Sequence, residues 1–366
     1  MCIVHIKRVH FKKCNYMQNN CKRFEHKMGD GLMKIKFLPL HKNFILITII
    51  IVLFCVYIHY FCYNFNVFAA SDYWSSYAAT SWSGSGTEND PYQIDTAAKL
   101  AGVASIVNGG DTCFGKYFVQ TKDINLSSHY WNPIGNMGNR FSGNYDGCGF
   151  SIKGITINTG EEYIGLFGYV SNATIKNVCL NDSNINCTDN INGSIYCGSI
   201  AGNAPGSKIL GCSNSCSIEI NLENVSGLGI PNIGGIVGGG NSATRIEYCQ
   251  NSGSISVDIL RINTLLSIGG IIGNGQGAMI RNCYNTGTVA TTYTGSEQGF
   301  LDYTHIGGIA GLNSNIYNCF NGAGISIAAW NADAGGLIGQ SSGNTIYNSF
   351  NTGMVFGLLI PRIANV

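Results

Sequence analysis

The stretch Ile268-Gly269-Gly270-Ile271-Ile272-Gly273, followed by Ile280-Arg281-Asn282-Cys283-Tyr284-Asn285-Thr286-Gly287-Thr288-Val289, sets the reading of the whole chain. Its first half recurs as IGGIVG (233–238), IGGIAG (306–311) and AGGLIG (334–339), with earlier variants IGLFG (164–168) and CGSIAG (197–202). The closing glycines at 168, 202, 238, 273, 311 and 339 are spaced by 34, 36, 35, 38 and 28 residues. The second half recurs from Ile246 to Ile255, from Ile316 to Ile325 and from Ile346 to Val355, with a weaker copy from Ile209 to Ile218. A first copy, Ile175-Lys176-Asn177-Val178, carries valine where the others carry cysteine. Self-similarity at such a period marks a stack of structural units.

The apolar residues are Ile and Val in short runs cut by Gly and Asn, which is a strand pattern and not a helical one. Glycine at this density inside helices would cost about 0.8–1 kcal/mol per residue. A unit of this length cannot bury its own apolar side chains, whereas stacking units does, and parallel strands then bring equivalent residues into columns. The predicted fold is therefore mainly β: a right-handed parallel β-helix of about six repeats with a helical amino-terminal cap. Ile246, Ile280, Ile316 and Ile346 form an inward aliphatic column, and Cys212, Cys249, Cys283 and Cys319 form another that Ser349 closes. Asn214, Asn251, Asn285, Asn321 and Asn351 are placed at the bend between strands, where asparagine tolerates left-handed backbone and stacked amides can bond rung to rung. Gly253, Gly287 and Gly353 are assigned to the same bend.

Composition supports a packed body. The chain has 49 Gly, 6 Pro, 45% hydrophobic and 11% charged residues, the reverse of a disordered composition. The net charge of +1 hides a split. Residues 1–70 carry ten Lys/Arg against Glu25 and Asp30, and the remaining eleven Lys/Arg face eighteen Asp/Glu. A mildly acidic body lacks the basic field that nucleic-acid binding needs, so no nucleic-acid partner is expected.

Phe44 to Tyr63 reads FILITIIIVLFCVYIHYFCY, preceded by Lys34, Lys36 and Lys42 and followed by Val67-Phe68-Ala69-Ala70. Basic flank, apolar run and small residues make a secretory signal, with cleavage after Ala69 or Ala70. The alternative is an uncleaved anchor, since about 20 apolar residues span a bilayer. Either way residues 71–366 are exported, to the cell surface or beyond, and any membrane contact is through the amino-terminal segment. The division is then 1–32 as an upstream extension or short cytoplasmic tail, 33–70 as signal or anchor, and 71–88 as linker. Residues 89–160 are cap and first rungs, 161–356 the repeats, and 357–366 a tail.

The double-glycine block followed by I-x-N-C-x-N-T-G-x-V resembles the GLUG-type repeat of bacterial surface proteins. The upstream motifs Gly86-Thr87-Glu88-Asn89-Asp90-Pro91-Tyr92, Trp131-Asn132-Pro133-Ile134-Gly135 and Phe141-Ser142-Gly143-Asn144-Tyr145-Asp146-Gly147 are similar to the module that often precedes such repeats. The resemblance spans about residues 84–356. It implies an adhesin-like role, or the non-catalytic flank of an immunoglobulin A-cleaving metallopeptidase. Within that module a helix is expected, capped by Asp95 or Thr96, with Leu100, Val103, Ala104 and Val107 as its apolar stripe and Asn108-Gly109-Gly110 as its stop.

The candidate chemistry is sparse. Ten cysteines lie beyond residue 70, and an even number outside the cell invites disulfides. The column cysteines, however, alternate with Val178 and Ser349, and buried free cysteine behaves as a small hydrophobe. They are read as unpaired thiols, with Cys212–Cys216 and Cys187–Cys197 as better pairing candidates. His129 and His305 are the only histidines after residue 70, and no H-E-x-x-H motif occurs, so neither metal nor cofactor is expected. Gly339-Gln340-Ser341-Ser342-Gly343 matches G-x-S-x-G but sits in a variable turn. A carbohydrate lyase or hydrolase on a β-helix is the enzymatic alternative and would need paired carboxyl groups. Glu247 aligns with Arg281, Tyr317 and Tyr347, and Asp258, Glu297, Asp302 and Asp333 fall in variable segments. The expected function is therefore non-catalytic: binding of a surface glycan or protein ligand, or a structural role. The segments richest in Tyr and Thr, 291–294 and 303–305, are the expected contact surface.

Overall fold

The computed structural model describes residues 72–359, apart from 159–160, 188–193, 223–228, 261–263, 295–302 and 330. These residues belong to one compact unit, Ala69–Val366. The signal or anchor segment, the residues before it and residues 360–366 lie outside the described residues.

Four parallel sheets make up the body, and the coils from Thr174 to Gln340 each contribute to all four. A long sheet of 13 strands begins at Tyr92–Ile94. An asparagine sheet of eight runs from Ile124–Asn125 to Phe350–Asn351. An alternating sheet of seven runs from Thr156–Asn158 to Val355–Leu359, so the last repeat reaches into the expected tail. A glycine sheet of six runs from Tyr163–Ile164 to Ala332–Gly335, which leaves about five turns between its first and last strands. The protein is a parallel β-solenoid.

Stacking is forced by the aliphatic pattern. In Ile255–Ile259 the side chains Ile255, Val257 and Ile259 are buried while Ser256 points out. Ile175, Ile209, Ile246, Ile280 and Ile316 are in register on successive strands and are fully buried. Each such side chain contributes about 1.5–3 kcal/mol on burial. No single coil could gain this, because its neighbours supply the apolar surroundings.

The double glycine answers to two close approaches. A Cβ on Gly234, Gly269 or Gly307 would strike the carbonyl oxygen of Val237, Ile272 or Ala310, where the chain arches back on itself. A Cβ on Gly235, Gly270, Gly308 or Gly336 would strike the side-chain amide of Asn251, Asn285, Asn321 or Asn351. The second glycine thus makes room for the asparagine column, although the two motifs are 13 to 16 residues apart in sequence. In the earliest coil, where Leu180 takes the place of asparagine, the block reads Ile164-Gly165-Leu166 and lacks the glycine pair.

The left-handed bend is not at the asparagine column, contrary to expectation. It lies at the residue before each cysteine-column position: Asn177, Gly211, Tyr248, Asn282, Asn318 and Asn348, with φ of 53°, 61°, 58°, 53°, 52° and 46°. Gly253, Gly287 and Gly353 have no positive φ; a Cβ on Gly287 would meet the carbonyl of Gly253 one coil away. Asparagine is therefore used twice per repeat for different reasons. At the bend it tolerates left-handed backbone, and in the following sheet it is a buried hydrogen-bonding group.

At the amino-terminal end a helix, α1 (Ala97–Asn108), is capped by the Thr96 hydroxyl, which accepts from the Lys99 N–H at 3.3 Å. Leu100, Val103, Ala104 and Val107 are buried in a core continuous with the first rungs. Residues 131–142 then pair by backbone with the first strands: Ile134 N–H donates to Leu166 O and Phe141 N–H to Tyr169 O. Those bonds cover edges that would otherwise be open to pairing. The segment 72–88, expected as a linker, packs on α1 instead. Ala79 N–H donates to Ala98 O at 2.8 Å, and the indole N–H of Trp82 donates to Lys99 O at 3.0 Å. Its Ser and Gly content suggested a linker, but Trp74 and Trp82 bury aromatic surface that a free segment would expose.

Gly270→Ala should lower stability by at least about 2 kcal/mol, because the added methyl meets the Gly308 carbonyl of the next coil and the Asn285 amide, and displacing them leaves buried polar atoms unpaired. Tyr248→Asn should raise it by about 1 kcal/mol by relieving a left-handed residue that is not glycine or asparagine. Chemical denaturation of the two variants beside the parent checks both signs.

Candidate functional site

The sequence columns are physical ladders. Asn214 Nδ2 donates to Asn251 Oδ1 at 2.8 Å, Asn251 to Asn285 at 2.8 Å, Asn285 to Asn321 at 2.9 Å and Asn321 to Asn351 at 2.7 Å. Each Nδ2 also donates to the carbonyl two residues on, at Cys216, Gly253, Gly287, Ala323 and Gly353. Asn214, Asn251, Asn285 and Asn321 are buried, and satisfied amides are what makes such burial tolerable.

Cys212, Cys249, Cys283 and Cys319 stack beside the ladder, buried and unbridged. Each thiol points to the carbonyl two residues back: Leu210, Glu247, Arg281 and Tyr317, at 3.6, 3.4, 3.2 and 3.2 Å. Ser349 continues the column by accepting from Cys319 N–H at 3.0 Å. Burial pushes the Cys249 thiol well up, and the hydrogen bond with Cys283, then burial, does the same at Cys319. Cys212 and Cys216 are likewise unbridged, and the Cys187 side chain lies outside the described residues. Among the described residues no group of three or more His, Cys, Asp or Glu stands together as potential metal ligands.

A second polar row went unread in the sequence. The residue before each glycine block forms a column through Asn232, Ser267, His305 and Asp333. Its signal was available in the tetrads N-I-G-G, S-I-G-G, H-I-G-G and D-A-G-G. Serine, histidine and aspartate thus sit on successive rungs, and His305 Nδ1 lies 3.2 Å from Asp333 Oδ2. Ser267 is fully buried and its Oγ has no hydrogen-bond partner, so this serine meets no substrate. Burial lowers the His305 pKa, and Asp333 offsets part of that.

The expected contact segments are partly interior. Thr291, Thr304 and His305 are buried, and the Thr291 hydroxyl donates to Ala328 O at 3.3 Å. Strand alternation turns Thr291 inward, whereas in Tyr303–Gly307 every residue after Tyr303 is buried. Tyr303 does remain exposed. Asp258 accepts from the Thr292 and Thr294 hydroxyls at 3.1 and 3.2 Å, and Glu297 and Asp302 lie outside the described residues. Ser341 of the G-x-S-x-G match has Asn344 as its hydroxyl partner at 3.4 Å and is exposed.

The surface feature that replaces those segments is a trough of about 760 Å³ along the corner between the asparagine and alternating sheets. Thr156, Asn184 and Ser217 are in register along one wall. Ser254 and Thr288 extend the row, since Ile218 N–H donates to Ser254 O and Ile255 N–H to Thr288 O. Ser215, Ser252 and Thr286 follow the asparagine ladder and form the other wall. Asp182 is the one charged residue lining it.

Fold and columns together define a parallel β-solenoid braced by an internal asparagine ladder. The GLUG motif matches residues 264–290, so the chain carries a repeat of the GLUG type. A protein of Evansella cellulosilytica named as a Gly-rich membrane protein is 38% identical over 105 residues, 26% of this chain. The matched part spans 12% of that relative's length. A solved structure from Bacteroides ovatus, described as an immunoglobulin A1 protease, is similar at a TM-score of 0.39 and 17% identity. The likeness covers 75% of this chain and 86% of that one. No helix among the described residues is long and apolar enough to cross a membrane.

Two outcomes are expected. Cys249, Cys283 and Cys319 should resist iodoacetamide in the native protein and react in denaturant without reductant, read by mass spectrometry. Because the folded His305 pKa lies below its unfolded value of about 6.5, its contribution to stability is complete above that pH and is lost as pH falls. Denaturation midpoints from about pH 7 to about pH 5 should therefore fall more steeply for the parent than for His305→Asn.

Proposed function

We propose that the exported body is a non-catalytic surface module that holds a neutral polyhydroxylated ligand, a cell-surface glycan, along its hydroxyl trough. One observation carries this reading: small polar side chains, four hydroxyls and the Asn184 amide, are repeated in register over five coils, from Thr156 to Thr288. Strands about 4.8 Å apart present one such group per rung, which suits many weak and equivalent hydrogen bonds. Each is worth little after desolvation, and their number gives the binding. The GLUG repeat and the membrane-protein relative support placement at the cell surface.

A catalyst would instead converge ionisable groups in one pocket. Here Asp258 is engaged by threonine hydroxyls, and Asp333 by a buried histidine.

The test incubates the full chain with a polysaccharide panel and follows both retention and released reducing or unsaturated ends. Retention without product, weakened about tenfold or more by Ser217→Lys with Ser254→Lys and unchanged by Asp258→Asn, is expected. Turnover that disappears with Asp258→Asn or Asp333→Asn would overturn the reading.

A further inference from the structure

The wall of the trough that follows the asparagine ladder changes character one rung beyond the trough. Ser252, Thr286, Gly322 and Thr352 hold equivalent places, each donating its backbone N–H to a ladder asparagine carbonyl one coil earlier, at Asn214, Asn251, Asn285 and Asn321. The lining of the trough ends at Thr286, Gly287 and Thr288. On the next rung a glycine replaces the hydroxyl residue, and an aromatic ring takes the space. A Cβ on Gly322 would lie 2.9 Å from Cζ and 3.1 Å from Cε1 of Phe320. The backbone does not require this glycine, since Gly322 is outside the left-handed region and threonine serves at the same place one coil before and after. What the glycine permits is the ring folded over it, in line with the hydroxyl wall.

Phe350 extends that ring by one rung, with centroids 4.8 Å apart and planes at 39°. Tyr284 precedes it in the same column. Tyr284 and Phe350 are exposed and Phe320 is half-buried, so apolar ring surface remains in water that a ligand would cover. The surroundings are neutral: no charged side chain occurs in 284–288, 320–326 or 350–356. The Asn321 amide is engaged by Asn285, Asn351 and Ala323. The hydroxyl groups of these stretches, on Tyr284, Thr286, Thr288, Ser326 and Thr352, are on exposed residues.

We infer that Phe320, laid over Gly322 and extended by Phe350, is a platform that stacks one pyranose ring of the glycan held in the trough and sets where along the solenoid that chain rests. This subsite rests on the glycan reading of the trough and deepens it. Equivalent polar groups at each rung let a chain slide by whole rungs, whereas the ring occurs at one rung of that wall. A sugar ring joins an apolar C–H face to a rim of hydroxyls, and so matches an aromatic face bordered by threonines without charge. A peptide strand would seek main-chain groups at a sheet edge, but the backbone N–H groups of this wall are bonded from coil to coil.

The experiment titrates the full chain with cellohexaose, maltohexaose and N-acetylated chitohexaose. Calorimetry reads affinity, and saturation transfer from aromatic protons reads stacking on ring C–H groups. At least one should bind saturably, with transfer to its C–H protons. Phe320→Ala should weaken it about tenfold and remove most of the transfer. Gly322→Ser restores the hydroxyl residue of the column and lifts the ring, and should do the same while melting with the parent. Tyr347→Ala, which removes an exposed aromatic of the long sheet, should change nothing. Should Phe320→Ala fail to fold, Gly322→Ser decides. Binding weakened by Ser217→Lys with Ser254→Lys but indifferent to both platform variants would overturn the subsite and leave the trough standing. Binding weakened by the platform variants and indifferent to the lysine pair would support the platform and overturn the trough. Absence of saturable binding by all three would overturn both.

Discussion

The structure depends on one fit, that of an asparagine amide against the bare Cα of a glycine across the core. Asn251, Asn285, Asn321 and Asn351 each occupy space that a Cβ on Gly235, Gly270, Gly308 or Gly336 would fill. The amide can be buried only because it bonds the amide above, the amide below and its own backbone two residues on. Those bonds require the rungs to be in register, and register places every isoleucine over its equivalent. A slip of one residue would put asparagine on a core position and isoleucine in water, so the ladder specifies the stack as well as bracing it. The coil with Leu180 has no double glycine, and the coil of Asn214, which reads Cys197-Gly198-Ser199, shows that a serine is also accommodated there at the start of the ladder.

Much of this was legible in the sequence, because repetition converts position into column. The period, the parallel stacking, the inward isoleucines as far as Ile316 and the cysteine column follow from aligning the copies; Ile346, expected inward, is exposed on the last coil, where no further coil covers it among the described residues. What escaped was of two kinds. Asn282 and Asn285 are three residues apart and look alike, yet one holds a left-handed bend and the other an internal hydrogen-bond ladder. Residue type cannot separate those roles, since asparagine suits both. Thr291, Thr304 and His305 were read as surface because they are polar and their segments vary in length. Thr291 is turned inward by strand alternation, and Thr304 and His305 are both enclosed where the strand runs into the glycine block.

The polar row Asn232, Ser267, His305 and Asp333 shows why site reading needs burial as well as residue type. Serine, histidine and aspartate on adjacent rungs satisfy a residue-level search for a nucleophile, a base and its orienting acid. In the solenoid the same order arises because one column happens to carry small or hydrogen-bonding residues beside the glycine arch. Ser267 is fully enclosed, so proximity has no reacting partner to act on. Among candidate residues, enclosure decides between chemistry and packing here.

The trough follows from the interior by the same logic. After Asn251 and Asn285 a small hydroxyl residue at the turn bonds the carbonyl of the preceding coil: Ser252 Oγ to Asn214 O at 3.1 Å and Thr286 Oγ1 to Asn251 O at 3.4 Å; after Asn214 the Ser215 hydroxyl donates instead to Asn181 Oδ1 at 3.1 Å. A hydroxyl whose proton is committed in this way still has its lone pairs. One wall of the trough therefore offers acceptors, set at rung spacing, with Asp182 adding another acceptor at one end. A ligand suited to it supplies donors at a regular interval and carries no negative charge. That polarity is a consequence of how the coils are tied together, because the hydrogen bonds that fix the turn also fix which half of each hydroxyl faces the ligand.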